Sequence, residues 1–209
     1  MIFARTIGAQ SIVLECAASF EPAAGDIFKT FADLARSGKP LRAGLSIRFG
    51  WSLLTLAKEP DGLRICEPRF SGDPFHELNP TLDTTIGVLV AQVQWLRLVG
   101  ERGADVFFDQ QILLAPDALL APDIFALRGE RTSEEDSGWS IAPVPAPGHD
   151  IDTSHLTASP VYRLVNSHLG LMSILTLPQG YLVRLRRGEG IEEAVEIDGP
   201  DGRSKWRAP

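Results

Sequence analysis

Glu134-Glu135-Asp136-Ser137-Gly138-Trp139 is the segment that best indicates how the second half of this chain folds. It places three carboxylates, a Ser-Gly pair and a large aromatic side chain between two short apolar runs, residues 124–127 and 140–144. Two such runs separated by a polar segment that contains glycine are typical of a β-hairpin. Gly138 can take the positive φ that a tight turn often needs. We therefore predict a hairpin whose turn contains Ser137 and Gly138, with the acidic side chains facing solvent.

The side chains of this stretch are expected to have different roles. Trp139 is predicted to be a buried aromatic that supports the hairpin, and Trp51 is predicted to do the same in the first half. Asp136 can accept backbone N–H bonds in its own turn, an Asx arrangement that needs no partner. Glu134 and Glu135 have no such local role. We therefore predict that Glu134, Glu135 and Asp136 contact a protein partner, through Arg or Lys side chains across an interface.

Three segments of the second half also indicate a family. They are Phe-Ala-Leu-Arg-Gly-Glu-Arg at residues 125–131, Asp136-Ser137-Gly138-Trp139, and a Leu-Pro-x-Gly pattern within residues 175–184. Over residues 104–190 the chain resembles the thirty-third family of bacterial polymorphic-toxin immunity proteins, although Ile-Ala-Pro-Val-Pro-Ala-Pro at residues 141–147 replaces the glycine and acidic residue that usually follow the family's tryptophan. The resemblance implies a protein that sequesters a co-produced toxin by covering its active site, with no turnover of its own.

The charge of the 209 residues is unevenly distributed. Residues 1–100 contain 10 Lys/Arg and 10 Asp/Glu, whereas residues 101–209 contain 10 and 17, so the whole net charge of −7 belongs to the second half. An acidic surface repels nucleic acid and attracts a basic partner. We expect no nucleic-acid partner and a basic protein, such as a toxin domain, as the partner. The alternative is that the acidity only increases solubility.

Composition predicts a globular cytoplasmic protein. Apolar residues make up 44% and charged residues 22% of the chain, which is ordinary for a folded domain. No run approaches the roughly 18 apolar residues of a membrane span, and the N-terminus lacks the apolar core of a signal peptide. We expect no membrane partner. Cys16 and Cys66 are predicted to be buried reduced thiols, with a disulfide, a metal site or a nucleophile as the alternatives.

The motifs of known catalytic sites are missing from the sequence. It contains no GxSxG, no phosphate-binding glycine loop and no cysteine with a nearby base. One cluster, His149, Asp150, Asp152 and His155, holds residue types that bind Zn²⁺ or Mn²⁺, but its Pro/Gly-rich loop offers no rigid support for metal ligands. We therefore predict no catalytic residue, no metal and no cofactor. The alternatives are a metal-dependent hydrolase that uses residues 149–155 and a scaffold or regulatory subunit.

Hydrophobic periodicity predicts an α+β fold with two small mixed subdomains, residues 1–100 and 101–209, each a short antiparallel sheet with one or two helices. In the first, we expect a strand at 11–17, a helix at 26–36, a hairpin from 47–57 and 62–66, and a helix at 84–99. In the second, we expect strands at 106–114, 124–127 and 181–187, one broken or two short helices at 161–176, and a loose tail from Asp198. Gly50-Trp51-Ser52 and Gly138-Trp139-Ser140 recur, which suggests a divergent duplication.

Overall fold

The computed structural model describes residues 1–145, 155–187 and 192–208. The chain forms two compact units, Met1–Leu89 and Val90–Pro209, and the division falls inside a helix, Asp83–Val99. Each unit has a β-sheet and few helices, which confirms the predicted α+β class. The boundary predicted from the sequence, between residues 100 and 101, lies at the end of that same helix.

The first unit is built on a sheet of short strands and one long helix. The elements are β1 (Ile2–Ile7), β2 (Gln10–Glu15), α1 (Glu21–Arg36), β3 (Ser46–Phe49), β4 (Ser52–Glu59), β5 (Gly62–Pro68), β6 (Leu78–Asn79) and the first part of α2 (Asp83–Val99). The strand order is β1-β2-β5-β4-β3, with β6 beside β5. All pairs are antiparallel except β2 with β5. That parallel pair needs a long crossover, and α1, β3 and β4 provide it.

Two predictions for this unit need correction. Strand β1 was not predicted, because Ala4, Arg5 and Thr6 interrupt its apolar pattern. Residues 47–57 form two strands rather than one, because Gly50 takes a φ of 58° and turns the chain between β3 and β4. A Cβ at this glycine would lie 2.2 Å from Leu89 Cδ2, so the turn has no room for a side chain.

A buried carboxylate marks the start of α2 in the first unit. Glu67 is fully buried, and its Oε2 accepts the backbone N–H of Thr85 at 2.7 Å, while Oε1 accepts the side-chain amide of Asn79 at 3.1 Å. The indole N–H of Trp51 donates to the Thr85 carbonyl at 3.2 Å. Burial raises the pKa of Glu67, and hydrogen bonds from Thr85 and Thr84 partly oppose the rise. The carboxylate thus satisfies a helix N–H group that would otherwise be buried without a partner.

The second unit contains a seven-stranded sheet within the described residues. Its strands are β7 (Gln111–Leu114), β8 (Asp123–Arg128), β9 (Asp136–Pro143), β10 (Thr157–Pro160), β11 (Leu182–Arg187), β12 (Glu192–Asp198) and β13 (Ser204–Arg207). The order is β10-β7-β9-β8-β11-β12-β13, and only β7 with β9 is parallel among these pairs. The predicted hairpin is confirmed, since β8 and β9 pair from Ile124↔Pro143 to Arg128↔Trp139.

Two helical segments follow β10, a 3-10 helix at Val161–Leu164 and α3 at Leu169–Ile174, which confirms the prediction of one broken or two short helices. The prediction of a loose tail from Asp198 is wrong. Strand β13 returns along β12 after a turn in which Asp201 Oδ1 accepts the backbone N–H of Arg203 at 3.1 Å. The ring of Trp206, on β13, then lies edge-on to Trp95, with centroids 5.0 Å apart.

The second sheet has an inner and an outer face, because successive side chains of a strand point to opposite sides. Ile112, Ile124, Ala126, Trp139, Ile141, Val183, Leu185 and Ile197 share the buried inner face, and α3 contacts the sheet at β11 and β12. The alternate residues belong to the outer face: Leu113, Phe125, Leu127, Ser140, Leu182 and Arg184. The burial pattern of β8 and β11 shows the alternation directly, since every second residue is buried.

Candidate functional site

The loop that joins β8 to β9, residues 129–135, borders a groove with a volume of about 340 Å³. Its lining contains the carboxylates Glu130, Glu135 and Asp136, and no Lys or Arg belongs to it. The complete lining, all within the described part of the chain, is Gln111, Leu113, Gly129, Glu130, Thr132, Ser133, Glu135, Asp136, Gly138 and Ser140. We call this feature the acidic groove. Carboxylates and hydroxyls are acceptors, so the groove suits a hydrogen-bond donor that bears positive charge.

Asp136 fixes the base of the loop. Its Oδ2 accepts the backbone N–H and the hydroxyl of Thr132, both at 2.9 Å, and its Oδ1 accepts the backbone N–H of Gly138 at 2.7 Å. The last of these is the Asx arrangement that the sequence predicted. Burial acts to raise the pKa of Asp136, but the hydrogen bonds outweigh burial and the pKa lies below its usual value.

The loop is also held from β7 and from within. Gln111 donates its backbone N–H to the Glu135 carbonyl at 2.7 Å, and the Gln110 side-chain amide donates to the Glu134 carbonyl at 2.7 Å. The Arg131 guanidinium donates to the same Glu134 carbonyl at 2.8 Å. The backbone of Glu134 and Glu135 is therefore fixed, while both side chains are exposed. A surface of this kind loses little conformational entropy on binding.

Gly138 takes the predicted positive φ, at 79°, but it does so inside β9 and not in the turn. The β7–β9 register shifts next to it, between the partners of Gln111 and Leu113, which marks a β-bulge. A Cβ on Gly138 would lie 2.9 Å from the Gly129 carbonyl oxygen. The prediction of a Ser137-Gly138 turn is thus wrong, because both residues lie inside strand β9, where the Ser137 hydroxyl donates to the Gln111 carbonyl at 2.7 Å.

The side chain of Trp139 lies on the face of β9 opposite to Ser140 and the acidic groove, in the core of the second unit. Its side chain is fully buried, and the indole N–H donates to the Leu175 carbonyl at 2.8 Å. Trp51 is buried in the first unit in a similar way, at 2% exposure. Since Trp139 lies in β9 only four residues beyond the loop, its burial anchors the β9 end of the hairpin.

Arg128, which pairs with Trp139 across the hairpin, is a buried cation that the sequence analysis missed. Only 3% of it is exposed, and its guanidinium donates at 2.6–3.2 Å to four acceptors, the backbone carbonyls of Ala104, Asp105, Leu175 and Leu177. Burial lowers the pKa of Arg128 to about 10, with a further decrease from Arg131 and a smaller opposing effect of Asp105. A single side chain thus joins β8 to the segments that precede β7 and follow α3.

The predicted partner-binding residues occupy different positions at this site. Glu135 and Asp136 line the acidic groove, whereas Glu134 is exposed but does not belong to the lining. Glu130 lines the groove and was not predicted, because the turn was expected at Ser137-Gly138. The Gly129-Glu130 pair, which comes one residue after the apolar run 124–127, is the signal that could have placed the loop correctly.

The His/Asp cluster considered for metal binding lies almost entirely outside the described residues. His149, Asp150 and Asp152 are not described, and His155 is exposed in a turn. Among the residues that the structure does describe, no group of three or more His, Cys, Asp or Glu side chains is placed to hold a metal ion.

Both cysteines are buried free thiols in the first unit, as predicted. The parallel register, Ile12↔Leu63 and Val13↔Arg64, places Cys16 and Cys66 on opposite faces of the sheet. Burial raises the pKa of both thiols. A raised pKa disfavours the thiolate, which is the nucleophilic form of cysteine.

Comparisons of the chain with models of protein families, with curated proteins and with solved structures found no significant match. In the described parts of the chain, no helix has both the length and the apolar character needed to cross a bilayer. The resemblance to immunity proteins therefore depends on the motif at residues 136–139 and the segments around it.

Proposed function

We propose that this protein is a non-catalytic, cytoplasmic binding protein of the immunity type, which neutralises a cognate toxin by direct contact. The observation that supports this best is the acidic groove on a loop whose backbone is fixed by hydrogen bonds. The Asp136-Ser137-Gly138-Trp139 motif, on which the family resemblance rests, begins strand β9 directly after this loop. The motif thus coincides with the part of the second unit best suited to present charge to a partner.

The chemistry of the acidic groove specifies the partner surface. Glu130, Glu135 and the exposed Glu134 place negative charge around a concave site without a basic residue in its lining. An Arg or Lys side chain of the partner would form charge-assisted hydrogen bonds with these carboxylates. Long-range attraction would also accelerate the encounter with a basic protein. The partner surface that enters the groove is therefore expected to be basic.

The residue types of the groove suit the binding of a cationic group. Its lining provides carboxylates, hydroxyls and one amide, which can accept hydrogen bonds from such a group. A scaffold or regulatory subunit would use the same groove and differs only in what its partner does.

The first experiment identifies the partner and its activity. The tagged chain is used as bait in cells of its source, and each recovered protein is then expressed alone and together with this chain. We expect a basic partner that arrests growth alone and is tolerated on co-expression. A large secreted-toxin gene immediately upstream would agree with this result. A partner whose expression is harmless would indicate a scaffold and contradict the immunity function.

The second experiment measures association with that partner for wild type and Glu134→Gln/Glu135→Gln. Removing two negative charges should slow association about three- to tenfold at low salt and have little effect near 0.5 M salt, because salt screens the attraction. Glu193→Gln, an exposed carboxylate of β12, is the matched control and should associate normally. An unchanged rate for the double variant would leave the acidity as a feature of solubility.

A further inference from the structure

A row of leucines crosses the outer face of the second sheet. The strand registers align Leu113 with Ser140, Ser140 with Leu127, and Leu127 with Leu182, so the row spans β7, β9, β8 and β11. Leu127 is 46% exposed, and Leu113 and Leu182 are half-buried. We call Leu113, Leu127 and Leu182 the leucine row. Adjacent strands are about 4.8 Å apart, so the row extends over roughly 14 Å.

The leucine row is continuous with the acidic groove. Leu113 and Ser140 belong to the groove lining, as do Gly129, two residues after Leu127, and Gly138, two residues before Ser140. Two residues of a strand span about 6.7 Å. The leucine row and the acidic groove are thus neighbours on one face of the sheet, about 6.7 Å apart along the strands.

The charges on the rest of the outer face differ from those of the groove. Toward the other end of the strands, Arg186 and Arg184 both pair with Asp123, at 3.2 and 3.9 Å, and Glu196 pairs with Arg207. These three arginines meet only two carboxylates, so this end of the face is not acidic. The groove lining, in contrast, contains three carboxylates and no basic residue. A partner surface that is complementary to the acidic groove and the leucine row would therefore have a cationic group next to an apolar one.

We propose that the leucine row and the acidic groove form one docking surface for an extended segment of a partner protein, in which an Arg or Lys lies two residues from a large apolar side chain. Side chains at i and i+2 of an extended segment point to the same side, about 6.7 Å apart. The cation enters the groove and the apolar side chain contacts Leu127. This inference rests on the proposed function, because it specifies the partner of the same groove.

Selection from a library of random displayed dodecapeptides tests the proposal with the full chain. The baits are wild type, Leu127→Thr, Glu130→Gln/Glu135→Gln and the control Leu120→Thr. Threonine suits a strand, and Leu120 is 75% exposed in a 3-10 helix away from the groove. Each bait is first checked for a wild-type thermal unfolding midpoint, and Leu127→Val replaces any Leu127→Thr protein that unfolds early.

We expect wild type and Leu120→Thr to enrich peptides with Arg or Lys two positions from a large apolar residue. Leu127→Thr should keep the basic preference, lose the apolar one and bind the selected peptides about tenfold more weakly. The glutamine variant should lose the basic preference.

Two outcomes would overturn the docking surface and leave the proposed function intact. In the first, the enriched peptides are basic but have no apolar residue two positions away. In the second, Leu127→Thr enriches the same pattern of residues as wild type. Enrichment of apolar peptides without a basic residue would overturn the cationic partner and with it the proposed function. A library that shows no enrichment on any bait would also overturn the docking surface.

Discussion

Replacing Arg128 with methionine should destabilise the second unit by about 2–6 kcal/mol. Methionine has a similar length and no charge, so the substitution removes the guanidinium while leaving most of the volume filled. The four backbone carbonyls that accept from Arg128 lose their donor within a buried region. A buried acceptor without a partner is costly, because water no longer solvates it.

The magnitude follows from two opposing contributions. The two guanidinium nitrogens that bond the carbonyls supply about three effective hydrogen bonds, since one nitrogen serves three of the four acceptors. Hydrogen bonds to a charged group contribute about 1.5–3 kcal/mol each, or about 5–9 kcal/mol together. Burial of the cation opposes this, because a pKa decrease from 12.5 to about 10 corresponds to about 3 kcal/mol. The difference leaves an expected loss of about 2–6 kcal/mol.

Urea unfolding followed by tryptophan fluorescence measures this loss, and hydrogen exchange of residues 123–143 assigns the transition to the second unit. The midpoint should fall by roughly 1–2 M urea. Arg186→Met is the matched control, because this arginine is on the neighbouring strand β11 with 60% of its side chain exposed, and its midpoint should change little. Equal midpoints for Arg128→Met and Arg186→Met would refute the role assigned to the buried guanidinium.

Four further substitutions test the two tryptophans, the loop and the buried carboxylate at the start of α2. Trp139→Ala and Trp51→Ala should each cost about 3–5 kcal/mol of unfolding free energy by denaturant titration, and a midpoint that hardly moves would mean that the ring is exposed in solution. Asp136→Asn should lower the free energy of unfolding by about 1 kcal/mol at pH 7. Because the pKa of Asp136 is lowered in the folded state, the stability difference between wild type and variant should shrink as the pH falls below about 4. A stability difference that does not depend on pH would contradict the acceptor role of Asp136. Glu67→Ala should cost about 2 kcal/mol by leaving the Thr85 N–H without its acceptor. Since the pKa of Glu67 is raised, the pH-dependent contribution of this group to wild-type stability is fully present below about pH 4, where Glu67 is protonated, and decreases as the pH rises through the folded-state pKa. Denaturant titrations of both proteins across this pH range measure the difference, and a stability gap that does not depend on pH would contradict the raised pKa.

The sequence was sufficient for the fold class and for strands with a clear pattern. The β8–β9 hairpin was predicted because its apolar runs are separated by a polar loop, and α2 because its apolar residues recur with helical spacing. Strand β1 and the β12–β13 hairpin were missed, since their residues alternate weakly and their stability depends on pairing with neighbours distant from the local pattern.

The two Gly-Trp-Ser triplets, at residues 50–52 and 138–140, have a similar local conformation. Gly50 and Gly138 both take a positive φ, and both following tryptophans are buried with the indole N–H bonded to a backbone carbonyl. The surrounding strands differ, however. Strand β4 has antiparallel neighbours on both sides, whereas β9 has the antiparallel β8 on one side and the parallel β7 on the other. The local conformation recurs, but the strand connections around it do not.

Residue types alone did not separate the roles of the three adjacent carboxylates Glu134, Glu135 and Asp136. Asp136 uses both carboxylate oxygens for Thr132 and Gly138, so its charge is already engaged in fixing the loop. Glu134 and Glu135 are fixed only through their backbone carbonyls, which leaves their side chains exposed. An aspartate can bond the backbone two residues ahead because its side chain is short. The rigidity supplied by the one acid is what would allow the other two to bind a cation with little loss of entropy.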